Sequence, residues 1–177
     1  MLTKEQADKA KAIKLVAFDI DGIMTDGRLY FSSLGDEIKA FNVKDGLGIK
    51  LLRQTGVEVA IITGRNAELV NRRAKDLKIE KLVQGREDKK VALQELVART
   101  ELTPEQVAYM GDDLPDLPAI RYAGLGVSVS DALPLVKEHA DIITQSKGGD
   151  GAVRELCEMI MDAQGTLSKA MEPYLSE

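Results

Sequence analysis

Tryptophan is absent from the sequence, which contains one cysteine and one histidine and is only 4% aromatic. A single cysteine excludes an internal disulfide framework, and the shortage of aromatic residues argues against a base-stacking surface for nucleic acid. No apolar run approaches the ~20 residues of a membrane-spanning helix. The net charge of -5 gives no basic surface for nucleic acid or an anionic membrane. With a polar N-terminus that is unlike a signal peptide, the chain is expected in a reducing cytoplasm.

Short apolar segments alternate with segments of helical periodicity. The predicted strands are 15–18, 57–62, 81–83, 107–110, 126–129 and 141–143. The predicted helices are 4–11, 45–54, 67–77, 89–99, 152–163 and one that follows the motif GDD. This alternation is typical of βαβ units and a mostly parallel sheet. We therefore predict a single α/β domain over residues 1–177, which is long enough to bury a sizeable core.

Residues 28–43 interrupt this alternation. The segments LYFSS and EIKAFNV flank a turn-forming Leu-Gly-Asp, a pattern that predicts a β-hairpin. Its apolar residues are Leu29, Phe31, Ile38 and Phe41. An isolated hairpin is only marginally stable in water, so we expect it to pack on the hairpins of other copies of the chain.

Polar side chains follow several of the predicted strands. Asp19 and Asp21 come after the first strand, Thr63 after the second, and the acidic pair Asp112-Asp113 after a later one. In a parallel sheet these positions meet at one edge, where ligands bind. Paired acids suit Mg²⁺, and a hydroxyl and an ammonium group, the latter from Lys89, suit phosphoryl oxygens. The sequence thus predicts a cation and a phosphoryl group at this edge.

The segments DIDGIMTDG and IITGR, then Lys89, then GDDLPD resemble, in this order, the haloacid dehalogenase superfamily of phosphotransferases. QGREDK, GDDLPDLP and GGDGAVRELC resemble its subfamily of 3-deoxy-D-manno-octulosonate 8-phosphate phosphatases. The resemblance implies a Rossmann-like three-layer sandwich. It also implies that Asp19 is the nucleophile, which forms an aspartyl phosphate, and that Asp21 is the general acid and then the general base.

Further site residues follow from the same resemblance. Mg²⁺ would be held by Asp19, the Asp21 backbone carbonyl and Asp112, with Asp113 in support. Thr63 and Lys89 would bind the phosphoryl oxygens. The remaining candidates for substrate binding are Gly64, Arg65, Arg72 and Arg73. The planar guanidinium groups of the arginines suit the carboxylate of a sugar acid. A solvated helix face explains the same arginines equally well.

The spacing of the motifs leaves no room for a cap domain, because one helix and one strand fill the interval between Thr63 and Lys89. An open site would admit water unless a neighbouring subunit covers it. The resembled subfamily forms homotetramers, and its C-terminal tail reaches into the neighbour's site. Here the tail, about 165–177, shows no helical period yet contains several apolar residues, so we expect a mobile lid.

The expected activity is Mg²⁺-dependent release of 3-deoxy-D-manno-octulosonate from its 8-phosphate for lipopolysaccharide synthesis. The alternatives are a phosphatase for a nine-carbon keto-deoxy sugar acid phosphate and a non-catalytic assembly module. A response-regulator receiver has its acidic groups in the opposite order and is rejected. Three other residues are expected to have no role in the chemistry: Asp116 only to cap or turn its loop, His139 to be structural, and Cys157 to lie in the core.

Overall fold

The computed structural model describes residues 2–175. The strands are β1 (Leu15–Phe18), β2 (Tyr30–Phe31), β3 (Glu37–Ile38), β4 (Glu58–Ile62), β5 (Lys81–Val83), β6 (Val107–Met110), β7 (Leu125–Ser128) and β8 (Ile142–Ile143). The helices are α1 (Lys4–Ala12), α2 (Val43–Gln54), α3 (Glu68–Asp76), α4 (Lys89–Val97), α5 (Leu117–Tyr122), α6 (Pro134–Glu138), α7 (Ala152–Ala163) and α8 (Leu167–Met171). None of the helices in this part of the chain has both the length and the apolar character needed to cross a membrane.

The main sheet has the strand order β5-β4-β1-β6-β7-β8, and every neighbouring pair is parallel. β1 lies inside the sheet, where Phe18 pairs with Ile61 of β4 on one side and with Met110 of β6 on the other. All four residues of β1 are buried. A strand covered on both faces must be continuously apolar, which explains the run LVAF ahead of the acidic cluster.

Two apolar cores lie on opposite faces of this sheet. One core packs buried residues of α1, α2, α3 and α7 against it. The other packs α4, α5 and α6 against the opposite face. The predicted three-layer α/β sandwich is therefore confirmed, and so is the separate antiparallel hairpin formed by β2 and β3.

The hairpin is shorter than the sequence indicates, because each of its strands has only two residues. Leu29, Phe31, Leu34 and Ile38 are exposed, as expected of an apolar hairpin surface. Phe41 differs from the prediction, since it is partly buried against the core of the same chain. The hairpin therefore keeps one fewer apolar side chain for contacts with other molecules.

The prediction of a tail without a helical period is wrong for residues 167–171, which form α8. Gly165 ends the preceding helix with a positive φ of 68°, a conformation that suits glycine. Leu167 and Met171 pack against the core, whereas Tyr174 and Leu175 are exposed. Whether the end of the tail acts as a lid stays a prediction, and its last residues, 176 and 177, lie outside the described part of the chain.

α2 begins at Val43, two residues before the predicted start, because the Asn42 side chain accepts the Lys44 N–H at 2.8 Å and caps the helix. Asp45, in the first turn of α2, is buried and accepts the N–H groups of Arg154 at 2.8 Å and Gly151 at 3.4 Å. The first N–H groups of a helix have no partner within it. Asp45 therefore caps α7 from a neighbouring helix.

Replacement of Asp45 by Ala should lower the free energy of unfolding by about 1–3 kcal/mol, because two partly buried N–H groups lose their acceptor. Asp45→Asn should cost less, since the amide oxygen can still accept one of these bonds. Denaturant unfolding followed by circular dichroism measures the difference. Asp162→Ala, an exposed site on α7, should change the stability by less than about 0.5 kcal/mol. Equal stabilities of Asp45→Ala and Asp162→Ala would contradict the capping role.

Candidate active site

The chain turns sharply where β1 reaches the edge of the sheet. The backbone N–H of Asp19 donates to the Met110 carbonyl oxygen at 3.0 Å and continues the pairing of β1 with β6. The next residues, Ile20–Met24, form a tight helical turn that contains Gly22 at a φ of 93°. A Cβ atom on Gly22 would lie 2.1 Å from Oδ2 of Asp112. Glycine is therefore required here, both for the turn and for the approach of the second acidic loop.

Lys89 lies between two buried carboxylates. Its Nζ is 2.9 Å from Oδ1 of Asp19 and donates to Oδ1 of Asp116 at 2.7 Å. Burial by itself lowers the pKa of Lys89, but the charges of Asp19 and Asp116 outweigh this effect and the net pKa is raised. Lys89 is consequently a permanent cation beside Asp19, and its binding of phosphoryl oxygens stays a prediction.

Asp116 does much more than cap its loop, which corrects the sequence-based expectation. Its Oδ1 accepts hydrogen bonds from Lys89 and from the Tyr109 hydroxyl, each at 2.7 Å. Its Oδ2 accepts the N–H groups of Asp112 and Asp113, each at 3.2 Å. Asp116 therefore fixes both the lysine and the acidic loop. The only hint in the sequence is the third acid of GDDLPD, whose burial depends on tertiary packing.

Asp112 has the environment of a metal ligand. Its Oδ1 is buried without a hydrogen-bond partner among the described residues. Burial, together with the nearby charge of Asp116, raises the pKa of Asp112 to about 7 and that of Asp19 to about 8, although the charge of Lys89 opposes both increases. Oxygens of these three residues lie within 4.8 Å of one another. A bound divalent cation would relieve this repulsion, and an all-oxygen donor set fits Mg²⁺.

Within this cluster, Asp19 and Asp112 are the better candidates to bind the cation, because hydrogen bonds already occupy both oxygens of Asp116. Asp113 is exposed, and its Oδ1 accepts the Leu114 N–H at 2.7 Å. Its carboxylate thus stabilises the loop, and the predicted supporting role at the metal stays a prediction. The same holds for the Asp21 backbone carbonyl.

Thr63 follows β4, the strand next to β1. Its side chain is buried, and its Oγ1 accepts the Arg65 N–H at 3.4 Å. Gly64 has room beside it, since an added Cβ would meet Glu87 only at 3.4 Å. Both residues thus lie at the predicted edge of the sheet, and their contacts with a substrate stay predictions.

The three candidate arginines have different surroundings. Arg65 extends toward the acidic turn, where its Nε is 4.0 Å from Oδ2 of Asp21. Arg73 donates to the Asn42 carbonyl oxygen at 3.0 Å and lies over the Phe41 ring, 5.4 Å from its centroid. Arg72 is exposed on the same helix as Arg73. The structure thus brings Arg65 to the turn after β1 and gives Arg73 a packing role against the start of α2.

Sequence reasoning missed Lys39, which lies in the segment after β3 and contacts Asp21 in the turn after β1. Its Nζ donates to Oδ1 of Asp21 and lies 3.0 Å from Oε1 of Glu37. Lysines are common in hairpins and usually solvated, so the sequence carries no signal for this contact. By contrast, Cys157 is fully buried in α7, where burial raises the pKa of its thiol, as expected of a core cysteine. His139 is exposed, and its Nδ1 lies 2.9 Å from the Leu135 carbonyl oxygen.

Comparison with known proteins gives consistent matches. A family profile described as haloacid dehalogenase-like hydrolase matches residues 81–156. The 3-deoxy-D-manno-octulosonate 8-phosphate phosphatase KdsC of Yersinia pestis is 50% identical over 92% of this chain and 87% of its own length. The structure of 3-deoxy-D-manno-octulosonate 8-phosphate phosphatase from Moraxella catarrhalis in complex with magnesium, phosphate and KDO is similar, with a TM-score of 0.95, 46% identity and coverage of 97% of this chain and 99% of that one. The cobalt-bound phosphatase from Haemophilus influenzae has a TM-score of 0.90 at 40% identity, with coverage of 95% and 99%.

A parallel three-layer sandwich with an Asp-Ile-Asp turn, a buried lysine and a second acidic loop at one edge defines a haloacid dehalogenase-like hydrolase. The sequence identity of 50% to the Yersinia protein, over most of both chains, identifies the family within this class. The chain belongs to the family of 3-deoxy-D-manno-octulosonate 8-phosphate phosphatases.

The metal-free protein should be stabilised by Asp112→Asn at pH 8. The folded state raises the pKa of Asp112 from 3.8 to about 7, so its carboxylate destabilises the fold increasingly above about pH 4 and fully above about pH 7. Without this charge the variant should melt at a higher temperature than the wild type at pH 8, and the difference should vanish near pH 4. Calorimetric melting in a chelator measures this.

Saturating Mg²⁺ should reverse the order at pH 8, because only the wild type retains the ligand. Asp113→Asn removes the neighbouring, exposed carboxylate and is the comparison, since it should lose less of the stabilisation by Mg²⁺ than Asp112→Asn does. An Asp112→Asn protein that gains as much stability from Mg²⁺ as the wild type would exclude Asp112 as a ligand.

Proposed function

We propose that this protein is a Mg²⁺-dependent phosphatase that hydrolyses 3-deoxy-D-manno-octulosonate 8-phosphate to the free sugar acid and phosphate. One observation carries the proposal. The buried Asp19 carboxylate lies 2.9 Å from a permanently charged lysine, and its neighbour Asp112 has a buried oxygen without a hydrogen-bond partner. This arrangement suits a nucleophile that must approach an anionic phosphate.

The chain's own residues can perform both halves of the reaction. An Asp19 oxygen attacks phosphorus, and the Lys89 ammonium, held in place by Asp116, neutralises charge on Asp19 and the phosphoryl oxygens. The Thr63 hydroxyl binds a phosphoryl oxygen. Asp21 protonates the departing sugar oxygen and then takes a proton from the attacking water. A bound Mg²⁺ supplies the remaining neutralisation of charge on the phosphoryl group.

The choice of an eight-carbon sugar acid rests on two supports. The relatives at 46–50% identity are described as phosphatases of this substrate, and one of their structures is a complex with KDO. Arg65 directly follows Thr63-Gly64 and extends toward Asp21 and Glu37, and a guanidinium group can bind a carboxylate through two parallel hydrogen bonds. A nine-carbon sugar acid phosphate is the second candidate, because it presents the same carboxylate and phosphate.

A non-catalytic assembly module is less well supported, since Asp19, Asp21, Thr63, Lys89 and Asp112 are all present and Lys89 forms ion pairs with Asp19 and Asp116. We further propose a cytoplasmic enzyme of lipopolysaccharide synthesis that assembles as a homotetramer. The exposed side chains of Phe31 and Leu34, 63% and 88% accessible, support assembly through the hairpin. A closed symmetric oligomer is the usual result of such a surface.

Asp19→Asn should lower kcat for the sugar acid phosphate by roughly 10⁴-fold or more, because the covalent route disappears. Phosphate release measures the rate, and kcat/KM for the eight-carbon and nine-carbon substrates should be compared in the wild type, with the eight-carbon ester preferred. Asp26→Asn is the matched control, since Asp26 lies beyond the turn and bonds to the Tyr30 hydroxyl; it should retain nearly full activity. Substantial turnover by a folded Asp19→Asn protein would remove Asp19 from the nucleophile role.

Removal of metal should abolish phosphatase activity, and added Mg²⁺ should restore it. Ca²⁺ should inhibit, because its larger and looser coordination shell allows Asp19 to bind the metal through both oxygens and lose its attack geometry. Steady-state rates in excess EDTA, with Mg²⁺ or Ca²⁺ added back, measure both effects. Full activity in EDTA would contradict a metal-dependent reaction.

A further inference from the structure

Lys39 is buried in an unusual place. It lies in the short segment between the hairpin and α2, yet its side chain is only 1% exposed. Fully buried lysines are rare unless they are paired, because their ammonium group loses its hydration. The partners of Lys39 are Asp21, whose Oδ1 accepts its hydrogen bond, and Oε1 of Glu37 at 3.0 Å.

These contacts belong to a closed ring of four charged side chains. Arg65 donates to Oε2 of Glu37 at 3.0 Å and approaches Oδ2 of Asp21 at 4.0 Å. Two cations and two carboxylates thus alternate around the ring, so each charge has opposite charges on both sides. The ring links the hairpin to the turn after β1 and to the loop after β4. Of its members, Lys39 has the most deeply buried side chain.

We propose that Lys39 is a positioning residue for Asp21, an inference that rests on the function proposed above. The ammonium group occupies Oδ1 and holds the plane of the carboxyl group. Oδ2, 4.0 Å from the Arg65 Nε and beyond hydrogen-bond distance, is then the oxygen that exchanges a proton with the substrate. A carboxyl group that could rotate would present the proton in the wrong direction for part of the time.

The reaction has two steps, the formation and the hydrolysis of the aspartyl phosphate, and Asp21 transfers one proton in each. As an Asp19 oxygen bonds to phosphorus, the bond from phosphorus to the sugar oxygen breaks, and that oxygen takes the proton from Oδ2 of Asp21. Water then attacks phosphorus, gives a proton to the Asp21 carboxylate, and releases phosphate and the Asp19 carboxylate. Lys39 takes part in neither proton transfer and acts only by holding Oδ1 in place.

The dependence of kcat/KM on the leaving group distinguishes a positioning role of Lys39 from two other roles, namely a contact with the substrate carboxylate and a purely structural role. A sugar hydroxyl is a poor leaving group that needs the proton from Asp21, whereas nitrophenolate leaves without one. kcat/KM reports the steps through formation of the aspartyl phosphate. Loss of positioning should therefore affect alkyl esters and spare an aryl ester. A contact between Lys39 and the substrate carboxylate would affect only the sugar acid ester, and a purely structural role would affect all three.

The experiment compares wild type, Lys39→Met and Lys39→Arg on 3-deoxy-D-manno-octulosonate 8-phosphate, glucose 6-phosphate and p-nitrophenyl phosphate, all with saturating Mg²⁺. We expect Lys39→Met to lower kcat/KM for both sugar esters by about 10-fold to 100-fold, a partial loss of the roughly 10²-fold to 10⁴-fold that a general acid contributes. Its kcat/KM for the aryl ester should change by less than about 3-fold. Lys39→Arg keeps a cationic donor and should restore part of the loss for both sugar esters.

Lys11→Met, on an exposed residue of α1, is the matched control and should leave all three substrates unaffected. An equal loss on all three esters, a loss on the sugar acid ester alone, or no loss would each overturn the inference. A wild type that hydrolyses none of the esters would contradict the proposed function and this inference with it. If only the sugar acid ester is inert, the substrate assignment fails and the alkyl and aryl pair still decides the role of Lys39.

Discussion

The ion pairs of Lys89 with Asp19 and Asp116 are the interaction on which the site depends. The sheet brings three carboxylates within 4.8 Å of one another at its edge, and like charges this close repel strongly when they are buried. One lysine cannot neutralise all three. The remaining negative charge is the physical reason that the edge of the sheet should bind a divalent cation and, through it, a phosphate.

Close backbone packing gives the site its shape. The loop that contains the GGDG segment lies directly on the turn after β1, and a Cβ on Gly148 would lie 1.7 Å from the Gly22 carbonyl oxygen. The Gly149 N–H donates to the Ile23 carbonyl oxygen at 2.8 Å. A side chain at these positions would push the loop away from the turn. The glycines of the last motif therefore support the first motif, although more than a hundred residues separate them.

The hairpin has two faces with different chemistry. One face exposes the apolar side chains of Leu29, Phe31, Leu34 and Ile38, whereas Glu37 and Lys39 point polar groups toward Asp21 and Arg65. In a fold without a cap domain, this is how a small insertion can influence the chemistry. The apolar surface proposed above for assembly is then connected, through a ring of ion pairs, to Asp21, the residue proposed as general acid and base.

The sequence by itself determined the α/β class and the order of the strands along the chain, because buried parallel strands and amphipathic helices leave local patterns of apolar residues. It also predicted that Asp19, Thr63, Lys89 and Asp112 would lie at strand ends or helix starts, since that placement depends only on neighbouring residues. It did not predict the roles of Asp116 and Lys39 or the packing of Arg73 on Phe41. Those depend on which distant side chains meet, and a solvated acid or lysine looks the same in sequence as a buried one.

α8 is the corresponding case in the fold. Five residues are too few to show a helical period, and an isolated helix of that length is unstable in water. It forms because Leu167 and Met171 pack against the apolar surface of the core. The local pattern of apolar residues therefore determined which secondary structure each segment of this chain can form. Tertiary packing decided which polar groups are removed from water, and so which of them form the charged contacts of the candidate site.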